Sequence, residues 1–222
     1  MTPPRLPALR PKLAGTLILT RPSKRGAEIL MGKRSAKHAF MPEQYVFPGG
    51  RVDRADHYAP LAGMIVGDDL SSMRRALSDR AAHAAAAAAI RETAEEVGYL
   101  VGRAGTVKSR HANWHPFREA GIQPDASGLT LIARAITPPG RVRRFDAWFF
   151  HADAESTIAA KVQHNGDELH DVRWVTRDEA EKLPIPHITR FVLGELERRL
   201  NNPDARPRHI RELARRMKID PL

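Results

Sequence analysis

Short apolar runs separated by polar turns dominate the hydrophobic pattern of this chain. They cover residues 13–20, 28–33, 45–47, 129–137, 144–151 and 172–175, and glycine or proline lies beside most of them. Apolar runs of this length, bounded by turn residues, are typical of β-strands. The pattern therefore predicts a sheet assembled from both halves of the chain.

One longer run predicts a helix. Residues 84–90 are nearly all alanine and continue into a charged segment that ends at Gly98. Alanine favours helix and glycine commonly ends one, so we expect a helix over residues 78–97. Further helices are expected at 177–182, after the N-cap residue Thr176, and at 188–200. Strands interleaved with helices predict an α/β (α+β) fold and not a helical bundle.

Length and composition indicate one globular domain with additions. The chain has 222 residues, of which 42% are hydrophobic, enough to bury a core. We expect the domain to span residues 1–204, with a polar insertion at 53–82 and a basic, helical tail at 205–222. There is no cysteine, which excludes disulfides and thiolate metal sites. The apolar stretch at 13–19 is too short for a membrane span, so we expect a cytoplasmic protein without a membrane partner.

The net charge of +10 favours contact with polyanions, which include nucleotides and nucleic acids. Much of this charge lies in the tail at residues 205–222. A solvated basic surface is the more ordinary explanation of such a charged segment. A nucleic-acid partner is therefore an alternative that the sequence does not favour. The predicted C-terminal helix packs either on its own domain or on a second copy as a homodimer, through apolar residues at helical spacing: Val192, Leu193, Leu196 and Leu200.

Three glutamates near the end of the alanine-rich helix form the main candidate site. Glu92, Glu95 and Glu96 are three and four residues apart, so their side chains project from one helix face. Like charges on one face repel, and a hard divalent cation such as Mg²⁺ or Mn²⁺ offsets that repulsion. Arg91 precedes Glu95 by four residues and can orient a carboxylate. Without other signals, a solvated acidic surface is the more ordinary explanation of such a face.

The segment from Arg91 to Tyr99, together with the upstream Phe47-Pro48-Gly49-Gly50 turn, resembles the Nudix box. That pattern is G-x5-E-x7-R-E-U-x-E-E-x-G-U, where U is a bulky apolar residue, and Thr93 occupies the first U position. The resemblance implies a Nudix fold, a mixed sheet between helices, and hydrolysis of a diphosphate bond. It also implies metal ligation by Glu92, Glu95, Glu96 and the carbonyl of Gly49, with Arg91 orienting the glutamates.

The first half of the box departs from the pattern. Counting forward from Gly50 places Asp56 at the glutamate position, whereas counting back from Arg91 places His83 there. The two counts disagree because about 27 extra residues separate the two halves. Either another acid, Asp53 or Asp56, replaces the missing glutamate, or its role is absent.

A subgroup of the Nudix superfamily with a long insertion at this place resembles the chain over residues 13–182, and it includes a peroxisomal enzyme that splits coenzyme A. The shared segments are 40–42, 46–53, 136–138, 143–146 and 149–150, while Ala135 replaces a usual tryptophan. A further coenzyme A pattern is only partly kept, in residues 30–35. That segment retains Arg34-Ser35, but Ala39 replaces the pattern's second arginine and Glu43 its glycine.

The expected reaction is attack of an activated water on a diphosphate in a nucleoside-diphosphate-X substrate. The general base is either a helix glutamate or an acid of a later loop, for which Glu168 is the candidate. Arg34, Arg143 and Arg144 are candidates for binding substrate phosphates, because guanidinium matches phosphate oxygens. Coenzyme A or an acyl derivative is the leading small-molecule substrate. The alternatives are an RNA-end or dinucleotide pyrophosphohydrolase and a non-catalytic module that binds nucleotides or RNA.

Overall fold

A computed structural model describes residues 9–36, 41–164, 168–213 and 216–222 of the chain. Its strands are β1 (Lys12–Arg21), β2 (Glu28–Arg34), β3 (Tyr45–Val46), β4 (Gly49–Arg51), β5 (Tyr99–Ala104), β6 (Ile122–Pro124), β7 (Thr130–Ile136), β8 (Phe145–Asp153), β9 (Ile158–Lys161), β10 (Leu169–Thr176), β11 (Arg208–Leu213) and β12 (Arg216–Pro221). Its α-helices are α1 (Gly67–Arg74), α2 (Asp79–Val97), α3 (His115–Glu119), α4 (Ala154–Thr157), α5 (Arg177–Lys182) and α6 (His187–Asn201).

The main sheet is mixed and has the strand order β10-β2-β1-β8-β7-β11-β12. β1 pairs in parallel with β8, and β11 in parallel with β7, while the other neighbours are antiparallel. The short strands β3 and β4 extend the sheet beside β2 and β1, respectively. A smaller antiparallel sheet has the order β6-β5-β9. The predicted α/β (α+β) fold is confirmed.

The main sheet lies between two hydrophobic layers. On β1, Leu17 and Leu19 belong to the layer beside α2, whereas Ile18 faces the layer that contains Val192 and Leu196 of α6. Successive residues of a strand point to opposite faces, which explains why this strand is apolar on both. The predicted arrangement of a mixed sheet between helices is therefore confirmed, and α6 packs on its own domain.

The alanine run in α2 lets the helix lie unusually close to the sheet. Each alanine from Ala84 to Ala89 is fully buried. A Cβ atom on Gly15 of β1 would overlap the carbonyl oxygen of Ala85 and lie 2.8 Å from the nitrogen of Ala89. The side chain of Ser78 caps the helix start, and Gly98, with φ of 75°, ends it. These glycines and alanines fix how closely the end of α2 approaches the sheet.

Residues 53–82, predicted as an insertion, form a cover over α2. They contain a 3-10 helix, Arg54–Tyr58, and helix α1. Ile65 and Met73 from this segment are buried in the same hydrophobic layer as α2. An ion pair at 2.9 Å between Asp69 and Arg199 also joins α1 to α6. The segment is thus built into the core instead of forming a surface loop.

A helix is the wrong prediction for the basic tail, because β11 and β12 pair as antiparallel strands, called the hairpin below, and β11 extends the main sheet at β7. Met217 and Ile219 alternate with polar residues in β12, as strands require, and Ile219 is paired with Ile210 of β11. Ile210 is buried against the second hydrophobic layer. Without β11, the outer edge of β7 would leave backbone N–H and C=O groups unpaired. A strand pairs with these groups along its length, whereas a helix does not.

No helix among the described residues combines the length and the apolar character needed to cross a bilayer.

Candidate functional site

The site forms where the last turns of α2 cross β4. Gly49 and Gly50 pair with Thr16 and Gly15 of β1, which holds the glycine turn in the sheet. A Cβ atom on Gly50 would overlap the carboxylate of Glu92. The backbone of Gly50 therefore lies directly against the helix glutamates, an approach that only glycine permits.

Glu92, Glu96 and Glu168 bring their carboxylates together at this crossing. One carboxylate oxygen from each residue lies within 4.8 Å of the other two. Glu96 is buried, and its Oε2 atom accepts a hydrogen bond of 2.8 Å from the backbone N–H of Gly49. Glu168 is exposed and directly precedes β10, and its carbonyl accepts a hydrogen bond from the N–H of Ser35. Residues from α2 and from the β10 approach thus share one acidic centre.

Glu95 lies beside this centre and not within the three-carboxylate group. Its Oε2 atom accepts a hydrogen bond of 2.9 Å from Nη1 of Arg91, and its side chain is 44% exposed. The same Arg91 nitrogen donates to Oε1 of Glu92 at 2.8 Å. Arg91 therefore holds two of the glutamates, as predicted for an orienting residue, and Glu168 joins Glu92 and Glu96 at the place expected for Glu95.

Asp56 is the acid paired with Arg91. Nε and Nη2 of Arg91 donate to the two Asp56 oxygens at 2.9 and 3.0 Å, and both side chains are almost fully buried. Nη2 also donates to the carbonyl of Arg51. Buried charges persist where their hydrogen bonds are satisfied, as these are. Of the alternatives that the sequence left open, Asp56 is the acid that contacts Arg91, and it comes from the 3-10 helix within residues 53–82.

Asp53 and His83, the other residues at the ambiguous positions, have different contacts. The backbone N–H of Asp53 donates to Asp56 Oδ2, which caps the 3-10 helix, and its side chain pairs with Arg51 at 3.2 Å. His83 Nε2 lies 3.2 Å from the carbonyl of Ala59 within the cover over α2. Neither side chain contacts Arg91 among the described residues.

Burial and mutual repulsion make the glutamates hard to ionise without a counter-charge. Burial raises the pKa of Glu92 to about 7, and it raises the pKa of Glu96 well above its ordinary value, reinforced by the charge of Glu92. Burial likewise raises the pKa of Glu95. Clustered carboxylate oxygens are the donors that a hard divalent cation prefers. The residues present therefore fit Mg²⁺ or Mn²⁺.

The three candidate arginines are not equivalent. The positive charge of Arg34, at the end of β2, partly opposes the raised pKa of Glu96, so Arg34 lies near the acidic centre. Arg144 instead donates from Nε to the carbonyl of Thr137 at 2.9 Å and from Nη1 to that of Leu9. Arg143 is exposed in the β7–β8 loop. Arg34 therefore lies near the acidic centre, whereas the guanidinium of Arg144 binds backbone carbonyls.

Two departures from the family patterns have structural explanations. The hydroxyl of Thr93 donates to the carbonyl of Ala89 at 2.7 Å, so a polar residue is tolerated at a fully buried position. Glu43 has φ of 59°, in the left-handed region that glycine favours, and the coenzyme A pattern places glycine at this position. Ala39 and Phe40 lie outside the described residues.

Comparisons with known proteins agree with this geometry. A family model described as the NUDIX domain matches residues 79–192, which include Arg91 and the helix glutamates. A NUDIX hydrolase from Alicyclobacillus acidocaldarius superposes with a TM-score of 0.64 at 26% identity, over 83% of this chain and 90% of that chain. The NUDIX domain of Shewanella oneidensis NrtR, solved with ADP ribose, has a TM-score of 0.49 at 12% identity, with 86% and 90% covered.

Among curated proteins, the chain is 24% identical over 125 residues to oxopyrrolidines biosynthesis cluster protein O of Penicillium oxalicum. The match covers 49% of this chain and 60% of that protein, so the chain spans less than two thirds of the relative's length. The domain match, the fold and the Arg91 arrangement lead to the same assignment. The chain belongs to the NUDIX domain family.

Proposed function

We propose that this protein hydrolyses the diphosphate linkage of a nucleoside-diphosphate-X substrate with the help of Mg²⁺ or Mn²⁺. The observation that carries the proposal is the group of Glu92, Glu96 and Glu168, whose oxygens lie within 4.8 Å of one another beside the glycine turn. These carboxylates would hold the cation, and the carbonyl of Gly49 and the carboxylate of Glu95 are further candidate ligands. When bound, the cation screens the negative charge of the diphosphate and lowers the pKa of a bound water.

The remaining chemistry comes from side chains of this chain. Arg91 is locked by Asp56, Glu92 and Glu95, so it fixes the direction of the glutamates and does not need to move during turnover. Glu168 is the exposed member of the acidic group and directly precedes a strand, so it can reach solvent and accept a proton from the attacking water. Arg34, whose charge acts on Glu96, is placed to neutralise a substrate phosphate.

Coenzyme A or an acyl-coenzyme A is the substrate we propose first. The support is the partial pattern at residues 30–35, the left-handed backbone at Glu43 and the inserted segment that resembles the coenzyme A subgroup. Dinucleotides and RNA ends remain the alternative substrates. The RNA alternative is less well supported, because two arginines of the hairpin are already paired with acids of this chain. Arg211 pairs with Asp220, and Arg208 pairs with Glu195. A binding module without turnover has no need for three converging carboxylates.

A turnover panel tests the proposal. Coenzyme A, acetyl-coenzyme A, NADH, ADP-ribose, a diadenosine polyphosphate and capped RNA are each incubated with Mg²⁺ or Mn²⁺, beside Glu96→Gln and the control Glu119→Gln. Glu119 is exposed on α3, far along the chain from the acidic group. We expect turnover by the wild type and the control, and a loss of about 100-fold or more in Glu96→Gln. Equal rates for wild type and Glu96→Gln on every substrate would refute hydrolysis at this site.

A further inference from the structure

A positively charged pocket lies between the start of β1 and the residues that follow the glycine turn of β4. It is open, has a volume of about 360 Å³, and is lined by Lys12, Arg51, Arg54 and His57, with Asp53 as its acidic member. Lys12, Arg51 and Arg54 are exposed and keep their charge in contact with solvent. One carboxylate against three fixed cations leaves a net positive surface. Such a pocket attracts phosphate groups.

The ion pairs around this pocket leave two of its cations available to bind an anionic ligand. Arg51 pairs with Asp53 at 3.2 Å. Among the residues that the structure describes, neither Lys12 nor Arg54 forms an ion pair with an acidic side chain. The Nδ1 atom of His57 is shielded from solvent and has no hydrogen-bond partner in the described part of the chain. A phosphate that carries two negative charges can pair with Lys12 and Arg54 together, since it accepts several charge-assisted hydrogen bonds at once.

Backbone connections place this pocket beside the site of hydrolysis. Arg51 follows Gly50, the glycine that lies against Glu92, and the carbonyl of Arg51 accepts a hydrogen bond from Arg91 at 3.0 Å. Consecutive Cα atoms are about 3.8 Å apart, so the pocket begins one residue from the acidic centre. The backbone of Arg51 therefore connects the lining of the pocket to the residues of the acidic centre.

We propose that this pocket, defined by Lys12, Arg51, Arg54 and His57, binds a phosphomonoester that the nucleotide substrate carries in addition to its diphosphate. The proposal rests on the proposed function and narrows the substrate to nucleotides that carry a phosphomonoester in addition to the diphosphate. Arg54 and Lys12 are specificity-determining residues, and they take no part in cleavage. The inserted segment thereby supplies both the acid that fixes Arg91 and half of a second phosphate site.

The test compares substrate pairs that differ by a single phosphate. Coenzyme A and dephospho-coenzyme A differ in the 3′-phosphate, and NADPH and NADH in the 2′-phosphate, so the two pairs distinguish the two positions. We expect the wild type to prefer one phosphorylated member in kcat/KM. Arg54→Gln should lower kcat/KM for that member about tenfold and change the dephosphorylated member less than about twofold. Lys12→Gln should act in the same direction, and the double variant more strongly.

A matched control removes an equal charge elsewhere. Arg110 is exposed in the segment between β5 and α3, so Arg110→Gln should leave both members of each pair unchanged. The substituted residues Lys12 and Arg54 are also exposed, and unchanged melting temperatures will show that the variants fold. An equal loss on both members of a pair would show general electrostatic attraction and overturn the proposal. A loss confined to capped RNA would also overturn it.

A binding measurement separates this proposal from the hydrolase proposal. Calorimetry on Glu96→Gln protein compares adenosine 3′,5′-bisphosphate and adenosine 2′,5′-bisphosphate with AMP, and needs no turnover. Tighter binding of one bisphosphate, lost on adding Arg54→Gln, supports the pocket even if no substrate in the panel is cleaved. Equal affinity for AMP and both bisphosphates would refute the pocket even if hydrolysis is observed.

Discussion

The acidic residues at the end of α2 and the basic residues of the C-terminal hairpin are two charged regions that behave in opposite ways. The acidic residues Glu92 and Glu96 at the end of α2 converge with Glu168 on one point, at which only Glu96 is buried. The basic residues of the C-terminal hairpin are spread along two strands, where Arg208 pairs with Glu195 and Arg211 with Asp220. In the first region carboxylates of like charge converge on one place, and in the second these arginines each lie beside an acidic partner.

The difference follows from secondary structure and burial. A helix brings residues three and four apart to one face, so like charges accumulate, whereas a strand sends neighbours to opposite faces. Burial then raises the cost of ionising the clustered carboxylates, which shows in the raised pKa of Glu92 and Glu96. The half-exposed Arg211–Asp220 pair of the hairpin is worth less than about 1 kcal/mol. A region that retains such a cost is a better candidate for function than one that does not.

The largest expected effect concerns the buried pair that supports the acidic region. Asp56→Ala leaves Arg91 buried without its main partner, because both residues are almost fully buried. We expect the free energy of unfolding to fall by about 3–5 kcal/mol, measured by urea denaturation, with a loss of hydrolase activity. Asp53→Ala, at the exposed neighbour, serves as the control and should cost less than about 1 kcal/mol. Similar losses in both variants would contradict the assignment of Asp56 as the partner of Arg91.

Gly50→Ala is expected to have the next largest effect, and it acts on the site alone. The added methyl group would overlap the Glu92 carboxylate and displace it from the acidic group. We expect kcat to fall by about 10- to 100-fold, because a displacement of an ångström at a catalytic group has effects of this size. Gly194→Ala on α6, where a Cβ atom meets no heavy atom within 4 Å, is the matched control. Full activity in Gly50→Ala would mean that the close approach is not required.

A pH-dependent effect is expected in the hairpin. Burial, with the charges of Arg134 and Arg211, lowers the pKa of His209 to about 4. The unfolded chain then binds a proton near pH 6.5, and the folded chain does not. Stability from this residue is therefore complete above pH 6.5 and is lost as the pH falls towards 4, by at most about 1.4 kcal/mol per pH unit.

Thermal unfolding of His209→Gln between pH 7 and pH 5 measures this contribution. The melting temperature of the variant should fall less than that of the wild type over this range, because its side chain does not titrate. Parallel curves for the two proteins would show that His209 is protonated in the folded state as readily as in the unfolded chain.

The smallest effect is expected from the hairpin charges. Asp220→Asn removes the acidic partner of Arg211 and Lys218, which lie in exposed or half-buried positions. We expect a loss of less than about 1 kcal/mol and no change in small-substrate turnover. The freed cations should strengthen RNA binding at low salt, which filter binding at two salt concentrations detects. A large loss of turnover would instead connect the hairpin to the acidic region.

The local pattern was sufficient for many elements and for part of the site. The alanine run and Gly98 predicted α2 to within one residue of its start, and Thr176 was identified as an N-cap. The hydrophobic pattern predicts most strands of the main sheet, namely β1, β2, β3, β7, β8 and β10, but it predicts a turn where β4 forms. The short strands β5, β6 and β9 were missed, because their pairing with one another, which stabilises them, is not visible in a local window.

The sequence alone determined the family resemblance and the helix that carries Arg91 and the glutamates, because each depends on residues close together in the chain. Tertiary structure alone decided that Asp56 pairs with Arg91, that Glu168 joins Glu92 and Glu96, and that the basic tail forms a hairpin. Each of these contacts joins residues far apart in sequence, and the burial that selects among possible partners exists only after the chain has folded.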